Sequence, residues 1–252
     1  MAPWPWFVLA GAAVGSLTGI FGVGGSAIAT PVLSLLGVPG LQAVASPLPA
    51  TIPSALAAVV PYVRSQTARP RAAGWSLLGG IPATILGALV SRIVGGPALL
   101  VASGIALGVV GWRMLSPVEP AAAAAGAARR QNRPLLVAAS AGVGFFTGLL
   151  ANGGGFLLVP MYVLVFGLAM AEAAGTSLLV VAVLAIPTLI THVSLGHVDW
   201  AVAAAFALGS VPTAAVSGRL AQRLPGEAVR RAFGWFLIAC GVAFALHRLM
   251  SA

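Results

Sequence analysis

A glycine-rich segment occurs twice in this chain, each time inside a long apolar run. Val14-Gly15-Ser16-Leu17-Thr18-Gly19-Ile20-Phe21-Gly22-Val23-Gly24-Gly25-Ser26, continuing to Pro31, returns as Val143-Gly144-Phe145-Phe146-Thr147-Gly148-Leu149-Leu150-Ala151-Asn152-Gly153-Gly154-Gly155, continuing to Pro160. A glycine cluster weakens an ordinary helix, because glycine loses the most backbone freedom on folding and returns no side-chain contact. Two clusters at matched places in apolar segments predict paired helix breaks, a device with which many transporters form a binding site inside a membrane.

The register holds beyond the motif. Thr18 matches Thr147 and Pro31 matches Pro160 at one offset. After a one-residue insertion Gly37 matches Gly167, Pro82 matches Pro212, Gly104 matches Gly234 and Gly111 matches Gly241. Glycines and prolines kept in step over most of each half indicate an internal duplication.

Composition decides the solvent. Only 7% of the 252 residues are charged, 60% are hydrophobic, and the mean hydropathy is +1.04. A soluble domain carries about 25% charged residues, so this chain is read as an integral membrane protein. Helices are the choice that satisfies a continuously apolar backbone in lipid. Five apolar elements are expected in each half: 6–21, 26–37, 42–63, 74–93 and 97–115, then 135–151, 155–167, 172–193, 200–219 and 227–247. A spanning helix needs about 20 residues. The second element of each half has too few, so it pairs with the first as a broken hairpin around the glycine loop. The expected fold is all-α and polytopic. It has two inverted repeats, each a glycine-broken short helix pair plus three spanning helices, for about eight crossings. The repeats are placed at 1–115 and 135–252, joined by a Pro-, Ala- and Arg-containing linker at 116–134.

All thirteen basic residues are arginine and the net charge is +9. They sit in short loops, which fits membrane orientation better than the clustered solvated face of a nucleic-acid-binding protein. An odd number of elements per half puts eleven arginines on one side and leaves Arg92 and Arg248 on the other. The positive-inside rule then makes 64–73, 113–134 and 219–231 cytoplasmic, inverts the halves, and places both termini outside the cytoplasm. Trp4 and Trp6 read as an interfacial anchor, and the lack of a basic stretch ahead of them argues against a cleaved signal peptide. The lone Cys240 lies in an apolar run and supports no internal disulfide or Cys-based metal site.

The site candidates are the loops themselves: Gly22, Gly24, Gly25 and Ser26 in the first copy, Asn152, Gly153, Gly154 and Gly155 in the second. Without bulky side chains their N–H groups can approach a ligand closely, and each loop precedes a short helix whose N-terminus favours an anion. Close helix packing through small residues is the competing explanation. Asn152 is the one amide in the two loops, read as a ligand contact or a brace. Ser46, Thr176 and Ser177 open the third elements. Their hydroxyls can bind a ligand oxygen or bond back to their own helix. Thr18 and Thr147 are read mainly as back-bonding residues. Pro47, Pro49, Pro53 and Pro187 are read as bends, and Pro82 and Pro212 as matched kinks. His192 and His197 flank the outer end of the eighth element, where an interfacial role is the simpler reading. Acids are nearly absent from the apolar runs, so a carboxylate proton relay has no clear candidate. No Ser/His/Asp order, HExxH or P-loop is present, so neither an enzyme nor a resident cofactor or metal is expected.

The second copy, Gly148 through Pro160 followed by Ala173-Ala174-Gly175-Thr176-Ser177-Leu178, resembles the TauE/SafE family of membrane permeases, and the first copy carries the pattern more loosely. Ser26 replaces the last loop glycine there, and Ser46-Pro47 replaces Thr-Ser. The resemblance implies a multi-pass inner-membrane protein that moves sulfite or a small organosulfur anion. The expected function is therefore a secondary transporter for a small anion, with the lipid bilayer and that anion as its partners. A passive anion channel and a non-transporting membrane scaffold are the alternatives.

Overall fold

The computed structural model describes residues 3–94, 107–116, 132–149 and 155–250, and every regular element among them is helical. The first half holds α1 (Trp4–Phe21), α2 (Ser26–Leu35), α3 (Gly40–Ala45), α4 (Leu48–Arg64), α5 (Pro70–Val94) and α6 over residues 107–115. The second holds α7 (Arg133–Leu149), α8 (Gly155–Pro160, running on as a π-helical turn over Met161–Val165), α9 (Met170–Ser194), α10 (Trp200–Ala221) and α11 (Gly226–Met250). Most of the linker and the centre of the second glycine loop lie outside the described residues. Among the described residues four segments are long and apolar enough to cross a membrane: Trp4–Phe21, Gln42–Arg64, Met170–Ser194 and Trp200–Ala221. Leu78, Leu89, Leu208, Trp112 and Trp235 project outward from the bundle, as suits helices whose outer face meets lipid rather than water.

The third element of the first half, expected over 42–63, runs as one segment over Gln42–Arg64. Its regular hydrogen bonding lapses between α3, ending at Ala45, and α4, starting at Leu48, while Ser46 and Pro47 keep helical backbone angles. Pro47 sits at this bend, where its ring removes a helical N–H and crowds the preceding turn. Ser177 occupies the matched place in the second half, and α9 runs through it unbroken.

The inserted residue of the second half has a physical location. The extra residue falls between Pro160 and Gly167, and the helix takes it up as the π turn Met161–Val165. A π turn accommodates one added residue without ending the helix. Both copies then close on the same turn. Val38 N–H donates to the Leu33 carbonyl in one, and Leu168 N–H to the Tyr162 carbonyl in the other, each at 3.0 Å. The glycines beside them, Gly37 (φ 84) and Gly167 (φ 59), are both left-handed. Tyr162 is therefore the counterpart of Leu33.

The halves interlock reciprocally. α1 packs along α10, α7 packs along α5, and α4 packs against both α9 and α10. The first element of each copy thus lies on the fourth element of the other. The close approaches repeat at matched positions. A Cβ at Gly79 would strike the Val137 carbonyl, and a Cβ at Gly209 the Val8 carbonyl; Gly144 lies on the Gly80 carbonyl and Gly15 on the Ser210 carbonyl. Small residues let membrane helices approach backbone to backbone, where packing replaces the hydrophobic drive that lipid removes.

Candidate functional site

The first glycine break is buried inside the protein. α1 ends at Gly22, whose φ of 73 is left-handed and whose N–H donates to the Thr18 carbonyl at 2.9 Å. Residues 21–25 are all buried. A Cβ at Gly22 would overlap the backbone of Ala174, and one at Gly25 would reach Val14 at 2.8 Å and the Thr18 hydroxyl at 3.2 Å. The loop therefore folds back on α1 and rests on the first turns of α9. Gly22 is brought beside Ala174, two residues before Thr176. Tyr62 of α4 braces this end: its hydroxyl donates to the Gly19 carbonyl at 2.8 Å, one of the last carbonyls of α1, which has no helical partner of its own. The described Gly155 opens α8, whereas Asn152, Gly153 and Gly154 lie outside the described residues, as does the side chain of Ser26.

The hydroxyl candidates have defined partners. Thr18 and Thr147 donate to the carbonyls four residues back, Val14 at 2.9 Å and Val143 at 2.8 Å, the back-bonding expected of them. Thr176 likewise donates to the Glu172 carbonyl at 2.6 Å and also accepts the backbone N–H of Arg69 at 3.1 Å. Ser46 accepts the backbone N–H of Asp199 at 3.1 Å. Ser46, Thr176 and Ser177 are fully buried. Ser46 and Thr176 thus tie the third element of one copy to the loop before the fourth element of the other. A side-chain pair strengthens one of the two ties: Arg69 forms an ion pair with Glu172, which also accepts the Ala169 N–H at 3.2 Å. At the other, Asp199 caps α10 by accepting from Ala201 and Val202 at 2.9 and 3.1 Å. His192 and His197 meet there through their Nδ1 atoms at 3.3 Å.

A feature absent from the sequence reading lies beside the Thr176–Arg69 tie. A cavity of about 770 Å³ opens between the start of α5, the start of α7 and the π turn. Arg69, Arg71 and Arg133 are among its lining residues, with Trp75, Leu136, Phe166 and Leu168. The Arg133 guanidinium stands 5.3 Å over the Trp75 ring. Tyr162 reaches the cavity from the π turn and shares a 2.6 Å hydrogen bond with Ser76. Sequence reasoning assigned these arginines to membrane orientation alone. The signal that could have found the cavity is the combination of Arg69, Arg71 and Trp75 at one helix start with an insertion that places Tyr162 opposite.

The chain is similar to known membrane transporters. The family described as "Sulfite exporter TauE/SafE" matches residues 7–244. A "Probable membrane transporter protein" of Xylella fastidiosa (strain 9a5c) is 28% identical over 240 residues, covering 92% of this chain and 91% of that protein. The "Probable membrane transporter protein YjnA" of Bacillus subtilis (strain 168) is 26% identical over 235 residues, covering 86% and 89%. YunE of the same strain, with the same description, is 24% identical over 247 residues, covering 89% and 87%. No solved structure matches the chain.

Proposed function

The chain belongs to the TauE/SafE family of membrane transporters, and from that premise we propose that it is a secondary transporter moving a small anion, sulfite or an organosulfonate, across the inner membrane. The anionic head sits between the Gly22–Ser26 and Asn152–Gly155 turns, where N–H groups at two helix starts supply the positive end of a dipole without a buried arginine. Ser46, Thr176 and Ser177 stand behind them as supports. The halves at 1–115 and 135–252 form an inverted repeat, with the 116–134 linker cytoplasmic, and rocking of one half against the other alternates access.

The observation that carries this reading is the first break itself. A left-handed turn poor in side chains lies buried against Ala174, close to the Thr176 start of α9. Irregular backbone at membrane depth is tolerated where protein or a lined cavity satisfies it. The reciprocal packing of first on fourth elements supports a matched second break facing the first.

Flux into proteoliposomes tests the assignment. Saturable sulfite or sulfonate uptake that follows an imposed gradient is expected from the wild type. Gly24→Leu and Gly154→Leu should abolish it, and Gly142→Ala, whose Cβ would meet nothing, should not. Undiminished flux in both loop variants would refute the loop assignment. Flux without saturation or coupling would make the protein a channel.

A further inference from the structure

We propose that the cavity between α5, α7 and the π turn is a second anion site, specific for an organic oxyanion: a sulfonate or carboxylate head on a short apolar body. The inference rests on the anion-transport reading for its ligand class and goes beyond it in placing a separate site on the arginine-rich face.

The duplication supplies an internal control. The walls of the cavity have counterparts in the other copy, and the residue types there are different. Trp75 corresponds to Ala205, Ser76 to Phe206, Leu136 to Phe7 and Tyr162 to Leu33. Phe206, Phe7, Leu33 and Ala205 pack into one buried apolar cluster with Val38 and Val202. The charged residues diverge in the same way: Arg69 corresponds to Asp199, Arg71 to Ala201 and Arg133 to Trp4. The fold therefore does not need arginine at these positions, since its other half is built without it.

The chemistry of the walls selects the ligand. Arginine forks match planar or tetrahedral oxyanions. Arg69 is already paired with Glu172. Among the described residues neither Arg71 nor Arg133 pairs with a carboxylate, which leaves two guanidinium groups for an incoming anion. Trp75 lines the cavity beside Arg133 and offers an apolar ring that a bare inorganic anion cannot use. The volume of about 770 Å³ falls in the range of small-molecule sites. A phospholipid headgroup shares the chemistry of an anion beside an apolar surface, so the source of the ligand is decided by experiment.

Equilibrium binding to purified protein in phosphatidylcholine nanodiscs provides that experiment, with 1-propanesulfonate, sulfite and propylammonium as probes. Propanesulfonate should bind, and Arg71→Ala with Arg133→Ala should weaken it about tenfold or more, as expected for lost charge-assisted hydrogen bonds. Arg71→Lys with Arg133→Lys should recover part of the affinity. Trp75→Ala, the residue of the other copy, should weaken propanesulfonate and leave sulfite unchanged. Equal binding by the arginine double variant overturns the site, as does equal binding of propylammonium. Propanesulfonate binding that phosphatidylglycerol nanodiscs abolish would assign the cavity to a lipid headgroup and overturn the soluble ligand. Flux separates this inference from the one above. Wild-type transport with unaltered binding in the double variant removes the cavity site alone. Binding lost in the double variant, with no flux from any protein, removes the transport reading alone.

Discussion

Arg69 donates its backbone N–H to the hydroxyl of Thr176, 3.1 Å away, and the matched residues of the other copy, Asp199 and Ser46, form the same bond at the same distance. The side chains differ at all four places, yet the bond persists. What is preserved is a hydroxyl acceptor early in the third element and a backbone donor at the start of the fourth. Each bond is buried at its acceptor, and each joins the two copies to one another.

Removing the acceptor should therefore destabilise the bundle at either tie. Thr176→Val and Ser46→Ala are each expected to cost about 0.5–1.5 kcal/mol, the net worth of one hydrogen bond whose donor residue is not fully buried. Thr176→Ser keeps the acceptor and should remain close to the wild type. Unfolding in mixed detergent micelles measures the difference. Equal losses for the Val and Ser variants at Thr176 would show that methyl packing, not the hydroxyl, holds the tie.

The reciprocal glycine contacts predict matched mutational costs. Gly79→Ala and Gly209→Ala each push a methyl group into a facing carbonyl, Val137 in one case and Val8 in the other. Overpacking of this kind costs about 1–3 kcal/mol, and the two losses should agree. Gly142→Ala meets nothing and should be neutral or gain up to about 1 kcal/mol from helix propensity. Thermal melts of the three variants in one detergent would settle the comparison.

A third expectation concerns pH. Glu227, in the first turn of α11, binds Arg230 at 2.8 and 2.9 Å and Arg231 at 2.9 Å. The Arg230 guanidinium is the main cause that holds its carboxyl down to about 2, against the cost of desolvation and with help from Arg231. Arg230 is itself buried and donates to the Ser116 carbonyl at 2.8 Å, so the group ties α11 to the end of α6. A carboxyl depressed in the folded state stabilises it fully above its unfolded value, 4.5, and the benefit is lost as pH falls toward 2. Glu227→Gln should lower the melting temperature at pH 7, and the gap to wild type should narrow between pH 4.5 and 2. A gap constant across that window would show that the ion pair contributes nothing. Half of the Glu227 side chain is exposed, so added salt should also shrink the gap.

Much of the architecture was legible in residue order. The matched glycines and prolines located both copies, and the one-residue slip in their register marked the place of the π turn. Thr18 and Thr147 back-bond as their positions suggested. The bend of the third element at Pro47 was legible in the proline itself, whose ring removes a helical N–H and crowds the turn before it. Thr176 was left open between ligand and helix; the structure gives it a helix carbonyl and a loop amide, a partner more than a hundred residues away.

The sequence by itself determined that this is a duplicated, helical membrane protein broken by glycine, because hydropathy, backbone entropy and spacing are properties of a segment alone. Tertiary structure decided what the two matched places became. Phe206 joins a buried apolar cluster in one copy, and Trp75 lies under the Arg133 guanidinium beside a cavity in the other. That difference depends on side chains converging from three helices, and the volume left between them exists only once the helices are packed.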